Sequence, residues 1–185
     1  MMAYDYQAVH ALDGTIGAIS ERRANHLAVH RATAIAMVLA APGHTVEAAG
    51  ILIANGEFEA RFSGPGEWLV LSEVHAPETL CAELSVRLGD FAFVVDQSHG
   101  RVALTLSGPD AARILANGIA VDLHWDAFPV GRAANVLCNH LSVNLARTAV
   151  DSFDLVVMRS FAEALVDDLK TMARSHELSV DFATR

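Results

Sequence analysis

Lysine is almost absent from this chain: Lys170 is the only one, and arginine brings the basic residues to 13 against 22 acidic ones. The resulting formal charge of −9 repels polyanions, and the densest basic cluster, Arg22, Arg23, His26, His30 and Arg31, is too short for a nucleic-acid stripe. Cysteine is scarce as well. Cys81 and Cys138 lie far apart and form no CxxC pair, so we read them as free thiols of a reducing, cytoplasmic compartment. No run approaches the ~18 apolar residues of a membrane span. The opening MMAYDYQAVHALDG carries Asp5 and no basic start, so neither a membrane anchor nor a signal peptide is expected. Also missing are GxGxxG, the P-loop and HExxH, which removes the dinucleotide, nucleotide and zinc sites those motifs build.

What is present is apolar content, 52% of the residues, in a chain of 185. A chain of this length buries roughly 70% of its unfolded surface, so it needs no disulfide or metal staple. The apolar surplus fits either a well-packed core or a face covered by a partner.

The stretch from Phe91 to Leu123 organises the pattern. Phe91, Phe93, Val94 and Val95 break at Asp96-Gln97-Ser98-His99-Gly100, and Val102, Leu104 and Leu106 resume, which predicts two strands around a turn. Gly108 then ends the strand, Pro109 and Asp110 suit a helix start, and Ala111, Ile114 and Leu115 make one apolar face. Asn117-Gly118 reads as a left-handed stop. Upstream, residues 1–30 are poorly patterned and read as an N-terminal arm or edge; ERRANHLAVHRA fits a solvated basic face or loop, and as a helix it would place His26 and His30 on one face. No third metal ligand accompanies that pair.

Thr33 to Ala40 reads as a buried strand; His44 to Ala54 fits a helical turn or a strand. Asn55-Gly56 is a turn signal, and FEARFSGPGEWLVL gives a strand, a Gly-Pro-Gly bend and a second strand. Ser63-Gly64-Pro65-Gly66 resembles Ser107-Gly108-Pro109-Asp110, compatible with two related β-rich modules. Pro77 to Leu88 has the logic of a helix, with Leu80, Leu84 and Leu88 on one stripe and Gly89 as its end. Ala133 to Cys138, Leu141 to Arg147 and Ser152 to Met158 read as strands. Ser160 and Glu163 predict a capping box before a last helix striped by Phe161, Leu165, Leu169 and Met172. About three helices and seven or eight strands without regular alternation predict an α+β fold with mixed or antiparallel sheets. Residues 31–180 would form a single α+β domain of two intertwined modules.

No residue set makes a convincing catalytic site. Asp96, Ser98 and His99 have the residue types of a triad, but neighbours on a strand diverge and no elbow presents the serine, so we read a turn held by hydrogen bonds. The remaining histidines are scattered. Trp68, framed by apolar residues, reads as core. Trp125, flanked by His124 and Asp126 before a Pro-Gly loop, reads as an exposed anchor. Arg101 and Arg132 each lie beside a turn, where buried structural pairing is the expected role. Trp68, His99, Arg101, Trp125 and Arg132 are the candidate interface residues, and no catalytic, cofactor or metal residue is nominated.

Several motifs in order carry a resemblance. SGPGEWLVL, FVVDQSHGRVALTLSGPDAARILANGIAVDL, FPVGRAANVL and FDLVVMRSFAEALVDDL together resemble the gamma subunit family of bacterial heterotetrameric sarcosine oxidase, over about residues 30 to 176. Trp68, Ser98, Arg101, Gly108, Pro109, Asp122, Pro129, Gly131, Arg132 and Phe161 fall on the family pattern, mostly as fold determinants. Gly66 departs from it, standing where an aspartate is common. More distantly, the Asp-x-Ser, strand and Gly-Pro-Asp-Ala series is similar to the folate-binding aminomethyltransferase family. The resemblance implies an aminomethyltransferase-like fold and a non-catalytic structural subunit. Alpha, beta and delta partners would carry FAD, FMN, NAD, tetrahydrofolate and zinc. The complex would oxidise sarcosine or a related N-methyl amine to glycine and formaldehyde equivalents. A stand-alone folate-binding or aminomethyl-transferring protein, or a homo-oligomeric sensor of an amine or folate, are the alternatives.

Overall fold

The computed structural model describes residues 9–17, 21–54 and 58–183; the first eight residues, with the signal-peptide reading that rests on them, and the Asn55-Gly56 turn lie outside these. Along the first half run β1 (Asn25–Val29), β2 (Ala34–Ala40), α1 (Thr45–Ala54), β3 (Glu59–Gly64), β4 (Glu67–Ser72), α2 (Pro77–Leu88) and β5 (Ala92–Asp96). The second half supplies β6 (Arg101–Ser107), α3 (Ala111–Ala116), β7 (Ala133–Cys138), β8 (Leu141–Ala149), β9 (Ser152–Met158), α4 (Ala162–Met172) and β10 (Leu178–Phe182). The class is α+β with mixed and antiparallel sheets. Residues 45–54 prove helical, which raises the helices to four among the described residues. None of these helices is long and apolar enough to cross a membrane.

The strands form two sheets, one of six in the order β10-β1-β6-β9-β8-β7 and one of four in the order β3-β4-β2-β5. Period-two alternation decides what each face meets. In β2, Ala34, Ala36 and Val38 join Leu52 of α1 and Leu80, Leu84 and Leu88 of α2 in one buried cluster. Ile35 and Met37, on the opposite face, join Leu69 and Leu71 of β4 and meet Ala103 and Val156 of the six-stranded sheet. That sheet turns Val102, Leu104 and Leu106 the other way, onto Ile114 and Leu115 of α3 and Leu165 and Leu169 of α4. The layers are therefore helices, sheet, sheet, helices, with the two sheets face to face in the middle.

Three local expectations change. The stretch read as a peripheral arm, compatible with a helix, contributes β1, an inner strand antiparallel to β6 and parallel to β10. Leu27 and Val29 are fully buried there, and the short apolar run is long enough for a strand but not for a helix of its own. Residues 25–29 thus belong to the core sheet. The Ser160–Glu163 capping box does not form: Arg159–Phe161 make a 3-10 turn, α4 starts after Phe161 without a side-chain cap, and Glu163 accepts a hydrogen bond from Thr15 instead. Phe161 leaves the apolar stripe and is 48% exposed.

The third change concerns the end of α3. Asn117 there stays in the right-handed region, and Gly118 has no left-handed φ; a Cβ on it would sit 2.2 Å from Met172 Sδ, so the methionine side chain would have to shift. Asn117 Nδ2 donates to Met172 C=O at 2.9 Å, fastening α3 to α4. Gly108, by contrast, has φ +128, and a Cβ would fall 2.3 Å from Ala24 C=O. The Gly-Pro-Asp run thus lets β1 pass close by, whereas Ser63-Gly64-Pro65-Gly66 forms the tip between β3 and β4. The two similar runs do different jobs.

Candidate functional site

The turn between β5 and β6 holds the residues that first suggested chemistry, and its hydrogen bonds assign them to structure. Ser98 N–H donates to Asp96 Oδ1 at 2.8 Å, an Asx-type turn. Ser98 Oγ accepts from Ile35 N–H at 2.9 Å and donates to Ile35 C=O at 3.3 Å. With both lone-pair and proton engaged, this hydroxyl is a fastener. His99 is exposed at the same turn, and Arg101 opens β6 on the face shared with Ala103 and Thr105, so it points into the gap between the sheets.

That gap carries a polar seam. Arg61 of β3, 2% exposed, reaches Asp154 of β9 with Nη2 at 2.5 Å from Oδ2, and also contacts Glu59 Oε1 at 2.7 Å. Thr105 donates to the other oxygen of Asp154 at 2.6 Å. His30 continues the chain, 2.8 Å from Thr105 Oγ1 through Nε2 and 2.8 Å from Glu73 Oε1 through Nδ1. Further along, Asn144 Nδ2 donates to Phe62 C=O and Asn135 Nδ2 to Ser63 C=O. The Arg61–Asp154, Asn144–Phe62 and Asn135–Ser63 contacts each tie one sheet to the other. A void of about 90 Å³ lies beside the seam, lined in part by Thr33 and Arg61, whose Oγ1 and Nη1 are buried with no partner among the described residues.

A larger cleft of about 460 Å³ opens where the seam meets the β5–β6 turn, and His30, Thr33 and Ala103 line both spaces. Into it converge His99 and Arg101 of the five sequence candidates. Arg101 has no ion pair or side-chain hydrogen bond among the described residues, its Nε is shut off from solvent, and burial lowers its pKa. The expected buried pairing is therefore not made. Burial also holds His10, at the same cleft, below the ordinary imidazole range.

The other three candidates lie elsewhere. Trp68 of β4 packs partly against the cluster beneath α1 and α2. Trp125 is 65% exposed beside the His124 ring. Arg132 is exposed and donates to Ala127 C=O at 2.9 Å, with its guanidinium 5.7 Å from the Phe128 ring centroid. Both of the last two belong to the 119–132 loop, which is held from beneath by a residue that sequence reasoning did not single out. Arg147 of β8 is 6% exposed and donates to the carbonyls of Leu123, Phe128 and Val150 while lying over Phe153.

Among the described residues, no group of three His, Cys, Asp or Glu is placed to hold an ion. His26 lies on β1 and His30 directly after it, and they face separate partners, Ser179 with Asp181 and Thr105 with Glu73. Both cysteines are free.

Residues 26–173 match the Sarcosine oxidase, gamma subunit family. The chain belongs to that family. Sarcosine oxidase subunit gamma of Corynebacterium sp. strain P-1 is 39% identical over 106 residues, 56% of this chain and 50% of the relative. Its counterpart from Arthrobacter sp. is 35% identical over 140 residues, 74% of this chain and 66% of the relative. The chain thus spans between half and two thirds of the length of these curated relatives. Heterotetrameric sarcosine oxidase from Corynebacterium sp. U-96, solved with pyrrole 2-carboxylate, contains a chain that superposes with TM-score 0.71 at 28% identity, covering 88% of this chain and 91% of that one. Aminomethyltransferase T of the glycine cleavage system from Bartonella henselae superposes with TM-score 0.61 over 86% of this chain and 48% of its own, at 17% identity. This chain therefore shares the aminomethyltransferase-like fold, and at that identity the second likeness concerns fold alone.

Proposed function

We propose that this chain is a non-catalytic structural subunit of a cytoplasmic, heterotetrameric sarcosine oxidase-type complex, acting on sarcosine or a related N-methyl amine. The observation that carries the reading is the near-complete superposition on a chain of such an oxidase, together with family membership. Alpha, beta and delta subunits would be the partners, and FAD, FMN, NAD, tetrahydrofolate and zinc would reside in them. Glycine and formaldehyde equivalents would be the products of the assembly.

Exposed apolar side chains support a partner-covered surface. Phe93 and Val95 of the edge strand β5 are 63% and 43% exposed, on the same face of the sheet as Met37 and Leu39, and Trp125 projects from the loop that Arg147 braces. We assign docking to this overhang and to Trp125 with Arg132, while Trp68 serves packing. Co-expression with the neighbouring large subunits tests the reading: the chain should co-elute with them and raise their soluble yield and oxidase activity. Subunits that assemble and turn over equally well without it would overturn the proposal. Titration of the pure chain with tetrahydrofolate addresses the stand-alone alternative, for which tight binding with turnover is the required result.

A further inference from the structure

In a chain of formal charge −9, the 460 Å³ cleft is lined by three arginines, Arg31, Arg101 and Arg159, and three histidines, His10, His30 and His99. No aspartate or glutamate is among the described lining residues. Two of the six are already matched to acids outside the lining: Arg31 lies 2.7 Å from Asp13 and His30 lies 2.8 Å from Glu73. Arg159 is exposed at the mouth, where Nη2 donates to Val9 C=O, and it has no carboxylate partner among the described residues. Arg101 is partly buried with an orphaned Nε and no counter-charge. A guanidinium keeps its proton at neutral pH even when burial lowers its pKa, so the positive charge stays in place.

Desolvating a charge without a partner is costly, and the usual resolution is a counter-ion that brings its own acceptors. Here Ile35 and Val102 make part of the wall apolar, which strengthens any charge-assisted bond formed inside. The volume also falls within the range of roughly 300–1,000 Å³ typical of small-molecule sites. We propose that the cleft binds a small polyanion carrying a phosphate or paired carboxylates, with Arg101 as the anchoring fork and Arg159 as the second cation at the mouth. The site is independent of the proposed role in the oxidase, because it rests on this chain's own residues.

Calorimetric titration of the full chain with inorganic pyrophosphate and, separately, with citrate tests this, each against sodium chloride of equal ionic strength. Saturable one-to-one binding of at least one probe is expected, weakened at least tenfold in R101Q and several-fold in R159Q. Binding of pyrophosphate alone would assign a phosphate ligand, and of citrate alone a carboxylate one. Heats equal to the chloride control for both probes would overturn the proposal, as would binding that survives R101Q unchanged. Should R101Q fail to fold, R159Q decides by the same criterion, since Arg159 is exposed and its loss leaves the core intact.

Discussion

Ser98 closes a two-way hydrogen bond with the main chain of Ile35, accepting from its N–H at 2.9 Å and donating to its C=O at 3.3 Å. The β5–β6 turn is thereby bolted to the start of β2, the strand whose alternate residues face both the helices and the opposite sheet. Replacing Ser98 by alanine leaves the Ile35 N–H without its partner. A loss of about 1–3 kcal/mol is expected in urea unfolding, with an unchanged far-UV spectrum. A loss below about 0.5 kcal/mol would show that the turn is held by other contacts.

Arg61 and Asp154 form an ion pair that links the two sheets. Without Asp154, Arg61 keeps Glu59 Oε1 at 2.7 Å but loses its carboxylate on the opposite sheet, so D154A is expected to cost about 1–3 kcal/mol, whereas the double replacement R61M/D154L should be milder. Chemical denaturation of both variants checks the pattern. A double variant as unstable as D154A would mean that the rest of the seam, not the pair, sets the cost.

His26 predicts the direction of pH dependence. Its Nδ1 lies 2.8 Å from Ser179 Oγ, and its Nε2 is 2.9 Å from Asp181 Oδ1 but poorly aligned for a hydrogen bond. Desolvation therefore wins over the carboxylate, and the folded pKa falls below the ordinary 6.5. The unfolded chain then binds more protons than the folded one below pH 6.5. The contribution is fully present above that pH and is lost as pH falls toward the folded value. H26Q should flatten the slope of stability between pH 7 and pH 5; a slope identical to wild type would remove His26 as its source.

Cys138 is fully buried, and burial pushes its thiol up to about 11. Thiolate is the reactive form, so iodoacetamide at neutral pH should label Cys138 only after unfolding. Mass spectrometry of native and urea-treated protein reads this directly. Rapid native labelling would show that the region around β7 opens locally.

What could be read from the sequence followed the strength of local chemistry. Pro77 to Leu88 announced its helix through a proline start, a leucine stripe and Gly89, and each lies where expected. The ordered motifs around Gly108 and Trp68 carried the family. The seam was harder to read because alternation tells which residues share a face but not what covers that face. Glu59, Arg61 and Ser63 have the pattern of a solvent side, and only the second sheet buries Arg61 and Ser63. The same holds for Arg147, which looks like a surface residue of β8 until the 119–132 loop folds over it. Ser160 and Glu163 had the spacing of a cap, but the 3-10 turn at Arg159–Phe161 shifts the helix start beyond the serine's reach.

The parallel pairing of β1 with β10 sets a timetable for biosynthesis. Asn25–Val29 is the first strand made among the described elements, and Leu178–Phe182 is the last. Until the ribosome releases the latter, Leu27 and Val29 belong to a strand with one open edge, the condition that invites pairing with the wrong chain. Arrested nascent chains ending before Leu178 should therefore stay protease-sensitive through the six-stranded sheet, while the four-stranded layer, complete by Asp96, is free to consolidate earlier.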